Sequence, residues 1–455
     1  MQRSNRIVVI GEGPAGREAA RRAVRLGADV ALIAENVDPS ARLDHAAIRF
    51  LAVEAERVAQ AWSPEGPAPG PEYAPALRET LVGALQIAAR NFDNEMAELQ
   101  DIGVRVIQGR GCITAPDVVS VTRPGGQVEY VNCRSMILAP GARPFFNSAS
   151  PRIITPVSMP SLQEVPESLI VLGSSTSGLE LAHFFSSYGV HVTVVGARRP
   201  ALDFLDRDLR EKVVASAADN GVQLLTEVTA VTGTTDDHVD LLLTDSSHTD
   251  ADYVLPCGEG GCRTEGLGLG RPGVRTGPDG EIAVDERMQT NIPEIFAVGS
   301  ITGCYTHNIA IRQAEAAAHN ALGGEVSVNY DLIPAAAWFD PQIGAVGLAE
   351  EEAGQSGISA AAFTVYFAPG PTPERCAKLV ADGLTGRILG LHAVGSGAAE
   401  MAHLGALAVH AGVTLNDIAE LSCVKGTMAE CVSTAAALGR QPIPQIIPPL
   451  VTGPE

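Results

Sequence analysis

Two segments of the chain repeat one arrangement of apolar and polar positions. The first, RIVVIGEGPAGREAARRAVRLGADVALIAE, runs from Arg6 to Glu35; the second, SLIVLGSSTSGLELAHFFSSYGVHVTVVGARR, runs from Ser168 to Arg199. Each opens with a short apolar run, turns through glycines into an amphipathic stretch, and crosses a further glycine into a second apolar run. That order predicts strand, helix, strand: a right-handed βαβ unit whose helix N-terminus faces a phosphate. Two such units in one chain predict two dinucleotide-binding domains. Between them, Trp62 to Pro75 (WSPEGPAPGPEYAP) predicts a surface loop. A helical pattern follows from Ala76 to about Asp101, and ILAPGARP (Ile137 to Pro144) reads as a strand ending in a tight turn. From Asn329 onward a strand-rich pattern (FTVYF, KLVADGLTGRILGLHAVG) gives way to helices, which predicts a separate third domain.

The turn of the first unit is Gly11-x-Gly13-x-x-Gly16, with Pro14 and Ala15 opening the helix. Gly11 permits the tight turn, Gly13 lets the backbone approach a pyrophosphate, and Gly16 lets the helix pack on the strand. The acidic residue that binds a ribose belongs at the end of the second strand, where Ala34 stands. Glu35, one residue later, serves only if the strand end shifts. In the second unit the turn is Gly173-Ser174-Ser175-Thr176-Ser177-Gly178. Ser175 replaces the middle glycine, and its Cβ crowds the pyrophosphate approach. The ribose-acid position is Gly196, followed by Arg198 and Arg199. No carboxylate repels a 2′-phosphate there, and two guanidiniums stand ready to pair with one, so NADP is expected over NAD. The alternative is that both arginines are only solvated.

Composition removes several function classes. Lys+Arg is 32 against Asp+Glu 53, a formal net charge of −21, which repels phosphate backbones and argues against nucleic acid as a partner. No apolar run reaches the roughly 18 residues that span a bilayer, so no membrane partner is expected. The apolar run from Arg6 begins too early for a signal peptide before it, and the eight cysteines are scattered, as expected for reduced thiols in the cytoplasm.

Together these segments resemble the pyridine nucleotide-disulfide oxidoreductase class that includes dihydrolipoamide dehydrogenase, glutathione reductase, mercuric reductase and soluble transhydrogenase. Gly11, Gly13 and Gly16 match its FAD fingerprint, and Ala139-Pro140-Gly141 matches its ATG turn. Thr290 to Gly303 (TNIPEIFAVGSITG), with Gly299 and Ser300, resembles the segment that returns the chain to the flavin. Tyr330 to Ala353 and Gly386 to Glu400 resemble the dimerisation domain. The resemblance implies an α/β fold of two Rossmann-like domains, the second inserted in the first, and a C-terminal α+β dimerisation domain. The expected divisions are 1–148 with 279–328 for FAD, 149–278 for NAD(P), and 329–455 for dimerisation. It also implies FAD and NADP (or NAD) as cofactors, and a homodimer whose active site lies at the interface.

The departures from that pattern bear on chemistry. The family's CxxxxC falls in register on Arg42 to Ala47, so Arg42 and Ala47 stand where the redox cysteines would be; the first cysteine of the chain is Cys112. The family's lysine is Leu51, while its glutamate partner is retained as Glu180. The aspartate of its GD pair is Ser300, and its C-terminal histidine is Lys425, with the orienting glutamate kept as Glu430. His45 reads either as a new polar group near the flavin or as a packed or surface histidine. Cys257 and Cys262 have the CxxxxC spacing but belong to a strand end, and are read as ordinary thiols. Trp338 and Phe339 are read as packing residues.

The expected function is a cysteine-independent oxidoreductase. NAD(P)H reduces FAD, and electrons pass to a small organic acceptor, a quinone or oxygen, with Lys425, Glu430 and His45 as candidate catalytic residues. The competing reading rests on the joint loss of Ala34, Leu51 and Ser300 contacts: a scaffold with lost or altered cofactor use, acting as a non-redox enzyme of specialised metabolism or a non-catalytic partner.

Overall fold

In the computed structural model, residues 6–35, 45–61, 73–143, 150–155, 158–173, 175–196, 201–235, 238–257, 261–304, 306–367 and 375–440 are described. The chain opens with β1 (Arg6–Ile10), α1 (Pro14–Arg25) and β2 (Asp29–Ala34), followed by the helices α2 (His45–Ala61) and α3 (Ala74–Asp101). After β3 (Arg105–Gln108), an antiparallel meander of β4 (Arg110–Ala115), β5 (Val118–Thr122) and β6 (Val128–Asn132) leads to β7 (Ser135–Leu138). The second unit is β8 (Ser168–Leu172), α4 (Thr176–Ser187), β9 (His191–Gly196), α5 (Arg207–Asp219), β10 (Val222–Thr235), β11 (Val239–Leu243), β12 (His248–Ala251) and β13 (Tyr253–Pro256). Then β14 (Ile295–Ala297) and α6 (His307–Ala321) follow. The last part holds β15 (Ala335–Ala337), β16 (Ile343–Gly347), α7 (Glu350–Gln355), β17 (Ala360–Phe367), β18 (Arg375–Asp382), β19 (Ile388–Val394), α8 (Ala398–Ala411), α9 (Leu415–Glu420) and α10 (Met428–Leu438).

The apolar run of β1 is buried on both faces, as a central parallel strand requires. The first sheet has the order β14-β7-β1-β2-β3, with its pairings parallel. Its edge strand β14 arrives more than 150 residues after β7, so the second unit is an insertion into the first. The second sheet, β12-β11-β10-β9-β8-β13, is parallel from β10 to β13, with β11 and β12 added antiparallel. The third, β15-β16-β19-β18-β17, is antiparallel. The structure is thus two Rossmann-like units and a C-terminal α+β unit, as the sequence predicts.

The alanine stripe of α1 (Ala15, Ala19, Ala20, Ala23) is buried, which lets the helix lie close to α6. The largest apolar core runs through α2, α3, the second sheet and the third sheet, joining Leu51, Leu81, Leu179, Val194, Ile343 and Val394. The expected surface loop Trp62 to Pro75 lies largely outside the described residues, and its end differs from the prediction. Helix α3 begins at Ala74, with Pro75 in its first turn, where a missing N–H costs no intrahelical bond.

Candidate functional site

The glycines of the first turn are fixed by backbone contacts. Gly11 has φ +116°, and a Cβ there would lie 2.0 Å from the Ala139 carbonyl oxygen. A Cβ on Gly16 would lie 1.8 Å from the Gly11 carbonyl oxygen, so only glycine allows α1 to sit this close to β1. Gly13 is the N-cap of α1, with no side-chain cap and no acidic residue in the first turn. The helix therefore presents uncapped N–H groups and a positive dipole end, the arrangement that receives a pyrophosphate.

These groups open on a cavity of about 470 Å³ shared by both βαβ units. Gly13, Pro14 and Ala15 line it from α1; Ser175 and Thr176 line it from α4; Gly141, Gly299 and Ser300 complete the wall. The rest of the lining is mainly apolar, including Ile48, Met159, Leu181, Leu255, Val298 and Ala310. Eight of the sequence-expected cofactor residues thus meet in one space. Gly173 and Gly178 stand behind it: a Cβ on Gly173 would lie 2.9 Å from the Cys257 carbonyl oxygen, and one on Gly178 would lie 3.2 Å from that of Gly173.

Ser175 does more than crowd its turn. It is the N-cap of α4; its hydroxyl accepts from the Gly178 N–H at 3.3 Å and lies 3.3 Å from the Cys257 carbonyl, to which it donates. The second helix thus caps itself, whereas the first is uncapped, so the α1 end fits a pyrophosphate better than the α4 end. Arg198 and Arg199 lie outside the described residues.

A second, narrow crevice of about 20 Å³ lies at Gly11, bounded by Glu12, Ile33, Glu35, Gly109 to Gly111, Pro140, Arg263 and Glu265. Glu35 does not present a vacant carboxylate: it pairs with Arg263 at 2.8 Å. Arg143 pairs with Glu265 at 2.6 Å, and Arg110 donates to the Glu265 carbonyl. A nucleoside fits here only if these half-exposed side chains part. Exposed ion pairs contribute at most about 1 kcal/mol each, so the closure is weak.

Where the redox cysteines were expected, α2 packs against α4. Arg42 lies outside the described residues. His45 begins α2, and its side chain lies outside the described residues. Ala47 and Leu51 are wholly buried in the core, with Ile48 turned to the cavity. On the facing helix Glu180 is also wholly buried. One oxygen accepts from the Trp338 N–H at 3.1 Å, and Oε2 has no hydrogen-bond partner. Burial raises the Glu180 carboxyl to about pKa 7, opposed by the Trp338 N–H and by Arg49. The Arg49 guanidinium lies 3.2 Å from the centre of the Trp338 ring, and its Nη1 is likewise buried without a partner. The Trp338 ring thus packs on Arg49, and Phe339 is part of the apolar core.

Lys425 and Glu430 form the expected ion pair at 2.7 Å, and the Gly426 N–H donates to the other Glu430 oxygen at 2.7 Å. The lysine raises no burial problem in the protomer: its side chain is 85 % exposed. The Glu430 partner holds Lys425 above the ordinary lysine value, and Lys425 holds Glu430 below the ordinary glutamate value. Leu421 and Val424, close by in the chain, are exposed, as are Leu404 and Leu407 of α8.

Two cavity residues able to take part in chemistry escaped the sequence reading. Cys304 and His307 follow the Thr290–Gly303 segment and line the cavity beside Ser300. Their nearness to that segment was the available signal. Cys257 lines it too, its N–H donating to the Leu172 carbonyl at 2.7 Å, while Cys262 is buried with its thiol donating to the Ser300 carbonyl at 3.2 Å. The pair is split between cavity and core.

Residues 5–323 match the family model described as pyridine nucleotide-disulphide oxidoreductase, and residues 333–436 match the dimerisation domain of the same family. Leghemoglobin reductase of Glycine max is 28 % identical over 462 residues, covering 95 % of this chain and 87 % of that protein. Dihydrolipoyl dehydrogenase of Chlamydia muridarum is 27 % identical, covering 95 % and 96 %. The soluble pyridine nucleotide transhydrogenase of Pseudomonas putida is 26 % identical, covering 88 % and 89 %. Among solved structures, LpdA of Mycobacterium tuberculosis has the same fold, with a TM-score of 0.80 at 24 % identity over 96 % of this chain and 100 % of that one.

Proposed function

This chain belongs to the pyridine nucleotide-disulphide oxidoreductase family, flavin-dependent NAD(P)H oxidoreductases that bind FAD and form dimers, and from that premise we propose a cysteine-independent member that reduces a small organic acceptor, a quinone or oxygen. The observation that carries the reading is the single cavity joining the heads of α1 and α4, walled by Ile48 where the family places a redox cysteine pair close by. With it we propose the three-part division at residues 148, 279 and 329.

When bound, FAD would supply the redox chemistry that links hydride from NAD(P)H to an electron acceptor. The chain's own residues hold and shield it. The uncapped head of α1, with Gly13, Pro14 and Ala15, binds the pyrophosphate. Gly141, Gly299 and Ser300 border the flavin side, and Ile48, Leu181, Leu255 and Val298 exclude water and favour a flat apolar acceptor. Reducing a quinone takes two electrons and two protons; a hydride brings both electrons and one proton, so a second proton is needed. We assign that second proton to Lys425, which Glu430 holds charged, with the site completed across the dimer interface that the family resemblance implies.

The test is direct. Purified protein supplemented with FAD is scanned in the visible range, then assayed with NADPH or NADH against a soluble quinone and against lipoamide, glutathione disulfide and Hg²⁺. Flavin retention, quinone reduction and no disulfide reduction are expected, with NADPH preferred through Arg198 and Arg199. Disulfide reduction abolished by Cys257→Ser would overturn the cysteine-independent reading.

A further inference from the structure

We propose that Glu12, inside the first glycine-rich turn, supplies the carboxylate that holds the adenosine ribose of FAD, replacing one at the end of β2. The proposal rests on the FAD binding described above. Ala34, at the strand end, has no acceptor side chain and is wholly buried. The Glu35 carboxylate is turned to Arg263. Strands β1 and β2 pair in parallel with Ile10 opposite Ile33, so residues 12 and 35 both stand two positions past that register. The Glu12 side chain crosses that gap: its Oε2 accepts from the Glu35 N–H at 3.2 Å. The residue is only 4 % exposed, yet it borders the narrow crevice with Gly11, Gly109 and Gly111.

A dinucleotide whose pyrophosphate sits at the head of α1 lays its ribose over the C-terminal end of β2. The acceptor there must be an anion that a vicinal diol can donate to. Glu12 brings one to that edge from the turn that follows β1. Its carbonyl also accepts from Arg17 Nη1 at 2.8 Å, and Arg17 is paired with Glu95 at 2.6 Å, so the turn that carries the carboxylate is braced from the helix behind it. A braced carboxylate with a fixed backbone partner needs little reordering to receive two hydroxyls.

The experiment titrates apoprotein with FAD, and with an FAD analogue lacking both hydroxyls of the adenosine ribose, following flavin fluorescence. Wild type should bind the analogue about 10- to 100-fold more weakly than FAD, the loss of a charge-assisted hydrogen bond. Glu12→Gln should weaken FAD by a similar factor and leave the analogue's affinity unchanged. Glu35→Gln should stay within about threefold of wild type. Circular dichroism of each apoprotein reports folding. Equal affinity of wild type for FAD and the analogue overturns the proposal even if Glu12→Gln fails to fold. So does a Glu12→Gln protein that binds FAD like wild type, a loss carried by Glu35→Gln instead, or a wild type that takes up no FAD. Normal FAD binding without NAD(P)H turnover would instead count against the catalytic reading alone.

Discussion

Replacing Glu180 by glutamine should make stability depend on pH in a way that wild type reveals only by difference. The folded carboxyl keeps its proton up to about pH 7, whereas its ordinary value is 4.5. A raised carboxyl pKa means that ionisation costs folding free energy: the cost is absent below the unfolded value and grows as pH rises through 4.5 toward 7. The gap of 2.5 units, from 7 less 4.5, corresponds to about 3 kcal/mol above pH 8 and about 1 kcal/mol at pH 5, at roughly 1.4 kcal/mol per unit. Glutamine has nearly the same volume, keeps an acceptor for the Trp338 N–H and never ionises. Any constant penalty from placing an amide near Arg49 shifts the whole curve without changing its slope. Urea unfolding of both proteins at matched FAD and protein concentrations, from about pH 5 to about pH 8.5, gives the difference at each pH. The variant should gain about 2 kcal/mol on wild type across that range. A difference that stays flat within about 0.5 kcal/mol would show that Glu180 is already ionised near pH 5, held by Arg49, and would refute the argument from burial.

Three further outcomes follow from the same geometry. Lys378, 2 % exposed, donates to Asp206, Asp208 and Glu350 at 2.7 to 2.8 Å; Lys378→Met strands the buried Asp206 and should cost about 3–5 kcal/mol, read as a lower urea midpoint. Gly16→Ala places a methyl against the Gly11 carbonyl oxygen and should abolish FAD retention in the visible spectrum, while Gly27→Ala, with φ +86° but open space around it, should lower stability and spare the flavin. Lys425→Met should lower quinone reductase kcat by an order of magnitude or more at unchanged dimer content by light scattering; a weaker dimer with unchanged turnover per dimer would make its role structural.

Both βαβ units were legible because their signal is local. Apolar runs, a glycine turn and a helical stripe lie within about 30 residues, and the contacts that demand Gly11 and Gly16 are with the turn itself and with Ala139. The return of the chain to the first sheet at Ile295–Ala297 has no periodic signal and was visible only through resemblance. The Lys425–Glu430 pair was legible because it spans five residues. The Glu35–Arg263 pair spans 228 and the Lys378–Asp206 pair 172, and no local pattern encodes either. Glu12 was passed over for a related reason: glycine spacing defines the turn, and the residues between the glycines carry no rule about where their side chains reach.

The Lys378 contact also sets how the molecule can flex. It ties β18 to the head of α5, and the core that surrounds it is continuous from the second sheet into the third. His392 on β19 reinforces the tie. Burial keeps its ring below the ordinary histidine value, hence neutral, so its unprotonated Nδ1 accepts from the Asp206 N–H at 3.2 Å. Two sheets joined this way rock as one plate. Helices α2 and α3 enter the same core, so the first unit is tied to that plate as well.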